Sequence, residues 1–348
     1  MFKVKIVTAC MVSLFWAAPI GSGAAEKDIR SVPVQAINTA KAFAASPDPS
    51  RNTYLIAAGR TVNEGRLSAG AKGTSAVPPP LAVTAIYLST EGSGTVRGIS
   101  YEDEDILAYD VRTDTWSVFF DGSDVGLGAR DADVDALDIR PDGSILLSFH
   151  KPPATGIPGV GAVEGSDIVR FIPTATGSDT AGTYEWYFNG SEVGLGGSTQ
   201  KADENVDALG FAPDGRLVVS TRGGFNVAGV SGADEDLLVF ADRVFGEATA
   251  GSWEIYFEGS DVELKDGGDD EDVFGLWIDE TNGDIYLTTR GRFSVPGLSG
   301  DAADIFICGP GALGSRTSCT YRPFWDANQL GLEAGEGIDG FDLLRYDD

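Results

Sequence analysis

The sequence has little of what most catalytic sites are built from. Among 348 residues there are one histidine, His150, three cysteines and two methionines. It contains no nucleophile elbow, no phosphate-binding loop and no histidine cluster with metal-ligand spacing. With no partner side chain close in sequence, we expect His150 to be an exposed loop residue and not a catalyst.

Basic residues are also scarce, and so are long apolar runs. Twenty-five lysines and arginines oppose 53 acidic residues, for a formal charge of −28. A surface this acidic repels nucleic acid and suits cations or cationic partners, so no nucleic-acid partner is expected. The longest apolar stretch, within residues 6–20, is too short to span a bilayer. We therefore predict no membrane span and a monomeric protein.

The first residues are typical of an export signal. A basic start with Lys3 and Lys5 precedes the apolar stretch, and small residues end at Ala25, which predicts a signal peptide over 1–25. Residues 26–80 are rich in Ala, Gly, Ser and Pro and are interpreted as an arm or linker. The expected location is periplasmic or extracellular. There Cys308 and Cys319 would form a disulfide, with two buried thiols as the alternative.

A repeat dominates the rest of the chain. Aromatic residues open an equivalent segment four times, at Trp116, Tyr184, Trp253 and Tyr321, with spacings of 68, 69 and 68 residues. Around each lie three further short apolar runs separated by turn signals. We expect these aromatic side chains to pack between repeats, with carbohydrate stacking as the alternative.

Four short strands per repeat predict one propeller blade. In chain order they are strand A, typified by VDAL, strand B by LVVST, strand C by DLLVF and strand D, which carries the aromatic residue. The first repeat lacks strand A, and the chain ends in an unpaired strand A, GIDGFDLLRYDD. The prediction is an all-β, four-bladed β-propeller over residues 81–348. Its blades are about 68 residues long, and the C-terminal strand completes the first blade.

The predicted strand directions bring the acidic residues to one face, where strands A and C begin and strands B and D end. The binding residues expected there lie at the starts of A strands or directly after B strands: Asp133, Asp135, Asp207, Asp272, Asp339, Arg222 and Arg290. A second set occurs once per blade, at the start of each C strand: Asp105, Asp167, Asp236 and Asp304.

Three interpretations of these residues remain open. The C-strand aspartates could accept backbone N–H bonds in the loop before them, a purely structural role. Alternatively, Ca²⁺ could bind Asp135, Asp207 and Asp339 around the channel mouth, on three sides because Phe274 interrupts the ring, or bind the C-strand set. Thirdly, paired carboxylates could act as acid and base while Arg222 and Arg290 hold an anionic substrate.

The chain resembles secreted bacterial β-propeller repeat proteins. The resemblance is carried by the W/Y-x-x-x-[FY]-[FW]-[DNE]-G-S-[DE]-V-G-L and D-x-[DN]-V-D-A-L…PDG segments. The last blade departs from the pattern at Asp326-Ala327-Asn328-Gln329. Propellers host many activities, so the resemblance implies the fold alone. The expected function is a non-catalytic binding or scaffold module for a protein or glycan, with Ca²⁺ as a possible cofactor. The alternatives are a Ca²⁺-dependent hydrolase of a phosphorylated or carbohydrate substrate, and a passive structural domain.

Overall fold

The computed structural model describes residues 83–128, 132–196, 204–265 and 270–345. Within these ranges the regular structure consists of β-strands and short 3₁₀ helices. The predicted signal peptide and the arm over 26–80 lie outside the described residues.

The strands follow one another in the predicted groups. The first group comprises β1 (Val83–Thr90), β2 (Gly94–Val96), β3 (Ile99–Tyr101), β4 (Ile106–Asp110) and β5 (Thr115–Phe120). The second comprises β6 (Asp133–Ile139), β7 (Ile145–Lys151), β8 (Ile168–Ala175) and β9 (Ala181–Phe188). The third comprises β10 (Ala208–Phe211), β11 (Leu217–Ser220), β12 (Phe225–Val227), β13 (Val230–Gly232), β14 (Leu237–Val244) and β15 (Ala250–Phe257). The last comprises β16 (Val273–Ile278), β17 (Ile285–Thr289), β18 (Phe293–Val295), β19 (Leu298–Gly300), β20 (Asp304–Ala312), β21 (Ser318–Asp326) and β22 (Ile338–Arg345).

Four antiparallel four-stranded sheets form the blades. Their strand orders are β22-β1-β4-β5, β6-β7-β8-β9, β10-β11-β14-β15 and β16-β17-β20-β21. The first strand of each sheet contacts its counterparts on both sides, in the cyclic order β22, β6, β10, β16 and back to β22. The chain is therefore a four-bladed propeller, as the repeat predicted.

The ring closes within the first blade. The C-terminal strand β22 pairs antiparallel with β1 over most of its length, with Ile86 opposite Leu343 and Leu88 opposite Phe341. All four of these side chains are buried. The predicted completion of the first blade by the C-terminal strand is confirmed, and it removes a free inner edge that would otherwise present unpaired backbone groups.

Small hairpins follow strand B and hold the glycine-bearing segments. They are β2–β3, β12–β13 and β18–β19 in the first, third and fourth blades, and an isolated bridge between Ile157 and Gly161 in the second. The two-residue turn of β12–β13 places Gly229 at a positive φ of 81°, a conformation that glycine adopts without strain.

Each strand D ends in one 3₁₀ turn: Ser123–Val125, Ser191–Val193, Gly259–Val262 and Asn328–Leu330. The residue after the turn has a positive φ in all four blades. It is glycine in three of them, whereas Glu263 holds φ 66° in the third blade. The Gly-Ser-acid-Val-Gly-Leu sequence is thus a turn motif, and Glu263 departs from it at a sterically costly position.

The repeated aromatic residues join neighbouring blades. The Trp116 indole stacks obliquely near Trp325 of the fourth blade, and its Nε1 donates to the Leu330 carbonyl at 3.0 Å. Trp253 likewise contacts Phe188 of the second blade and donates to the Val193 carbonyl at 3.1 Å. Packing between blades is confirmed for Trp116 and Trp253, each with a buried ring and a satisfied donor, whereas the buried hydroxyls of Tyr184 and Tyr321 have no hydrogen-bond partner.

One disulfide joins the last two strands of the fourth blade. Cys308 in β20 and Cys319 in β21 are bonded, with a Cα–Cα distance of 5.2 Å. The side chain of Cys308 is fully buried. The predicted pairing is confirmed. The disulfide links β20 to β21, which is the outermost strand of the sheet and has no further strand of that sheet to pair with. In the described residues no helix is long and apolar enough to span a membrane.

Candidate functional site

Backbone bonds between blades build one continuous rim. The N–H group at the start of each strand A donates to a carbonyl just before strand C of the preceding blade. The pairs are Val134 to Asp103 at 3.1 Å, Val206 to Gly165 at 3.0 Å, Val273 to Asp234 at 3.3 Å and Ile338 to Ala302 at 2.9 Å. Starts of A and C therefore lie side by side, and the acidic residues of both share a face as expected.

The aspartates at the starts of the C strands bond to backbone. Asp167 Oδ2 accepts from the Glu164 N–H at 2.7 Å, and its Oδ1 accepts from the Gly190 N–H at 2.9 Å. Asp105 and Asp236 make the same two bonds in their blades. The structural interpretation of these residues is thus supported by their contacts, which tie the B–C loop to the end of strand D.

The fourth blade makes only half of this arrangement. Asp304 accepts from the Asp301 N–H at 3.0 Å, but Ala327 stands where the other blades have glycine, and its N–H bonds to the Ala303 carbonyl at 3.0 Å. Burial raises the pKa of Asp304 to about 6. The sequence departure in the last blade therefore has a direct structural counterpart.

Glutamates before strand A form a further structural set that the sequence interpretation did not separate from the rest. Glu204 Oε1 accepts from the Asn226 N–H at 2.8 Å, and Glu271 Oε1 accepts from the Ser294 N–H at 2.7 Å. Glu336 bonds to the Gly92 N–H at 3.0 Å. These carboxylates anchor the loops after strand B. Their identical place in three repeats was the signal available in the sequence.

A different group of carboxylates lines the inner strand starts and carries no such bonds. This inner acidic ring comprises Asp133, Asp135, Asp207, Asp272 and Asp339. Asp133 is 8% exposed and the other four are 1–3% exposed. Eight of the ring's carboxylate oxygens are buried without a hydrogen-bond partner, including both oxygens of Asp135, Asp207 and Asp272. Buried polar atoms are nearly always satisfied, so this concentration is exceptional.

Electrostatics show that the ring residues are neighbours. Burial raises the pKa of Asp135 well above its ordinary value, and the charges of Asp133 and Asp339 raise it further. The pKa of Asp207 is raised by burial and then by the charge of Asp135. Burial and the charge of Asp207 raise the pKa of Asp272 to about 11. The charge of Asp135 thus reaches Asp207, and the charge of Asp339 reaches Asp135, from neighbouring inner strands.

Basic side chains lie at the ends of the B strands, directly next to the ring. The outer basic layer comprises His150, Arg222 and Arg290, all half-buried. The Arg222 N–H donates to the Asn205 carbonyl and the Arg290 N–H to the Asp272 carbonyl, both at 2.9 Å. These bonds place both arginines beside residues that start a strand A. The guanidinium of Arg290 also lies 3.9 Å from Glu91 and over the Phe274 ring, 5.7 Å from its centre.

His150 differs from the expectation of an exposed loop residue. It lies near the end of β7, and its ring contacts the Arg222 guanidinium. Burial, followed by the charges of Arg222, Lys151 and Arg290, lowers the pKa of His150 to about 4. The imidazole is therefore neutral at neutral pH, because protonation would place a charge in a partly buried site among three cations.

The donor chemistry of the ring fits a hard cation such as Ca²⁺, which takes carboxylate oxygens. Across the described ranges, however, no three His, Cys, Asp or Glu side chains are grouped as one closed metal-coordinating set. Charged carboxylates repel one another unless a cation lies between them. The ring supplies unpartnered oxygens, and an ion there would need side-chain movements or water to complete its coordination.

A second buried acidic pair lies at the opposite end of the inner strands, and the sequence interpretation missed it. Asp138 in β6 bonds to Arg140 at 2.7 Å, and Asp342 in β22 accepts from the Ile139 N–H. Burial and the charge of Asp138 raise the pKa of Asp342 to about 7. The available signal was an aspartate within an apolar inner strand. These groups have partners, unlike the inner acidic ring.

The fold assignment rests on the sheets described above and not on the comparisons with known proteins. No family model and no curated protein matches the chain. A candidate gluconolactonase of known structure is 15% identical, with a TM-score of 0.29 over 68% of this chain and 91% of its own. An inactive variant of virginiamycin B lyase from Staphylococcus aureus, solved with quinupristin, is 10% identical, with a TM-score of 0.30 over 74% and 92%. YCF48 from Cyanidioschyzon merolae is 12% identical, with a TM-score of 0.25 over 71% and 65%. Scores this low support no inference about function.

Proposed function

We propose that this chain is an exported, non-catalytic binding module whose inner acidic ring takes up Ca²⁺ and whose acidic face then engages a protein or glycan. The observation that carries the proposal is the set of eight buried, unpartnered carboxylate oxygens in five neighbouring aspartates. Export is supported by the leader-like start of the sequence and by the disulfide.

A bound cation is the simplest explanation for the unpartnered carboxylate oxygens of the inner acidic ring. An isolated buried carboxylate loses its hydration and becomes protonated or pairs with a positive charge. Here several carboxylates are buried together, and the nearby Arg222 side chain contacts His150, while both oxygens of Asp135, Asp207 and Asp272 lack any hydrogen bond. A divalent cation would neutralise the ring with oxygen ligands alone. Asp135, Asp207 and Asp339 would hold it, with Asp133 and Asp272 adjacent.

Binding is favoured over catalysis by what surrounds the ring. The ring carboxyls are buried on inner strands, and the neighbouring imidazole has a pKa near 4. A general base works best when its pKa is near the working pH, so His150 is poorly suited to proton transfer at neutral pH. Structural carboxylates on the same face, such as Asp167, are engaged by backbone. A cation-stabilised acidic surface is the simplest function these groups support together.

Metal content and thermal melting test the proposal directly. The protein purified without chelator should contain about one Ca²⁺, and EGTA should lower its melting temperature at pH 7.5. Asp135→Asn and Asp207→Asn should each abolish the Ca²⁺-dependent rise. Asp124→Asn, at an exposed position in the 3₁₀ turn after β5, serves as the matched control and should keep the full rise. If no divalent ion is bound and EGTA leaves the wild-type melt unchanged, the proposed Ca²⁺ site does not exist.

The hydrolase alternative makes a different demand on the same residues. A phosphatase and glycosidase panel should show no turnover above background for the Ca²⁺-loaded protein. Turnover that Asp135→Asn removes while the fold persists would replace the binding module with the hydrolase. Turnover that survives both Asp135→Asn and Asp207→Asn would place any active centre elsewhere.

A further inference from the structure

Three of the four junctions between blades are closed by the same contact. The long turn between strands C and D carries Gly-x-x-Thr in the second, third and fourth blades, at residues 177–180, 246–249 and 314–317. The glycine N–H donates to a carbonyl near the end of strand D of the preceding blade: Gly177 to Phe119 at 2.7 Å, Gly246 to Tyr187 at 2.8 Å and Gly314 to Tyr256 at 2.8 Å. This Gly-x-x-Thr clamp covers part of the outer edge of each of those D strands.

The threonine hydroxyl completes the clamp. It accepts from the N–H two residues further along strand D, in the pairs Asp121 with Thr180, Asn189 with Thr249 and Glu258 with Thr317, at 2.8–2.9 Å. The same hydroxyl donates to the carbonyl of its own glycine at 2.6–2.9 Å. All three threonines are buried. One hydroxyl thus fixes the turn and satisfies a backbone group of the neighbouring blade.

The junction between the fourth and first blades lacks this clamp. Strands C and D of the first blade have five and six residues, against eight or nine in the other blades. The turn between them, residues 111–114, contains no glycine, and its Asp114 N–H donates back to the Asp110 carbonyl at 2.9 Å. Among the described residues, no backbone bond runs from this turn to strand D of the fourth blade.

The backbone groups that a fourth clamp would bond are present on β21. The β20–β21 and β4–β5 pairings align the Phe324 carbonyl and the Asp326 N–H with the groups that the clamp bonds elsewhere. The neighbouring Ala327 N–H donates inward, to the Ala303 carbonyl at 3.0 Å. Because successive residues of a strand direct their backbone groups to alternate sides, the Asp326 N–H faces outward. The first blade therefore leaves an outer edge on β21 where the other three D strands are covered.

The chain enters the propeller beside the short turn of the first blade. β1 begins at Val83, and the Thr84 carbonyl accepts from the N–H of Val111, the first residue of that turn, at 3.1 Å. The preceding arm contains one sequence with a hydroxyl residue three positions after a glycine, Gly65-Arg66-Leu67-Ser68. Residues 68–83 can reach about 50 Å when extended, whereas a domain of this size has a radius of gyration of about 18 Å. The arm is long enough to supply the missing contact.

We propose that Gly65–Ser68 of the arm docks on the outer edge of β21 and forms the fourth clamp, closing the junction between the last and first blades. The Gly65 N–H donates to the Phe324 carbonyl, and the Ser68 hydroxyl accepts from the Asp326 N–H. Serine offers the same donor and acceptor as threonine. The inference is independent of the proposed Ca²⁺ site, and it gives the arm a defined binding surface on the propeller of its own chain.

Amide hydrogen exchange of the full chain, resolved by residue with NMR, tests this. Protection of the Asp326 N–H should be within tenfold of that of the Asn189 N–H, which an observed clamp engages. Ser68→Ala should lower protection at Asp326 at least tenfold and leave Asn189 unchanged, whereas Ser68→Thr should keep it. Thr249→Val is the reverse comparison and should lower protection at Asn189 alone. Ser75→Ala, at an arm serine with no glycine three residues before it, should change neither.

Three results would overturn the proposal. An Asp326 N–H that exchanges as fast as an amide of an unfolded chain would show that nothing occupies this edge of β21. Protection that survives Ser68→Ala would assign the edge to another segment. Protection that depends on Ser68 but falls on dilution would assign the edge to the arm of a second copy. Unchanged protection at Asn189 in the Ser68→Ala variant verifies that the propeller itself is folded.

Discussion

Substitution of Asp272 offers the sharpest test of the inner acidic ring, because its effect on the free energy of unfolding should change sign with pH. Both oxygens of this side chain lack a partner, and burial with the charges of Asp207 and Asp234 raises its pKa from 3.8 to about 11. A group with a raised pKa holds its proton in the folded state after the unfolded chain has released it. Stability is then present in full below pH 3.8 and falls as pH rises toward 11.

The size of this loss of stability follows from the proton that Asp272 retains in the folded state. Between pH 4 and pH 8 in EGTA, one retained proton lowers the free energy of unfolding by about 1.4 kcal/mol per pH unit, or about 5 kcal/mol in all. Asp272→Asn removes this loss but buries an amide without a partner, at a cost of about 1–3 kcal/mol. The variant should therefore be slightly less stable than wild type at pH 4 and about 3 kcal/mol more stable at pH 8.

Equilibrium urea unfolding at the two pH values, in EGTA, measures the difference. The exposed Asp124→Asn variant controls for the loss of one negative charge and should show no change of sign relative to wild type between the two pH values. In saturating Ca²⁺ the advantage of Asp272→Asn at pH 8 should shrink, because the cation stabilises only a ring that is charged. An offset between Asp272→Asn and wild type that does not change from pH 4 to pH 8 would refute the reasoning.

Three further changes probe the architecture. Replacing Cys319 with serine opens the bridge to Cys308 and should lower the free energy of unfolding by about 3 kcal/mol, measured by denaturation with and without reductant. Glu263→Gly replaces a residue held at a φ of 66° and should raise the free energy of unfolding by about 1 kcal/mol. The exposed Glu247→Gly should not raise it. Asp236→Ala frees one buried and one part-buried backbone N–H group and should cost about 3 kcal/mol equally in Ca²⁺ and EGTA. A cost confined to Ca²⁺ would instead assign Asp236 to the metal.

Much of the architecture was predictable because the same sequence pattern recurs in four repeats. Regular spacing of Trp116 and its equivalents identified the blade, and an unpaired strand at each end of the repeat region identified the closure. Strand direction alone then put the starts of strands A and C on one face, since a meander reverses at every turn. The cysteine pair followed from its context in the same way.

The different structural roles of the acidic residues were not predictable from the sequence. Sequence treats Asp133, Asp167 and Glu204 alike, as carboxylates near the start of a strand. Their roles differ because some side chains reach backbone N–H groups while others are buried without a hydrogen-bond partner. A single blade does not contain that information, since the partner of a carboxylate at one strand start belongs to a neighbouring loop or blade. His150 illustrates the same limit, because Arg222, which it contacts, is 72 residues away.

The sequence by itself determined the number of blades, the order of strands within each, the closing strand and the face on which the charges gather. These depend on local pattern and on the alternation of strand direction, both of which a linear chain records. Only the tertiary structure decided which carboxylates are satisfied and which are left without partners. That distinction depends on distances between blades, and the ring of five aspartates exists only once β22, β6, β10 and β16 come together around the channel.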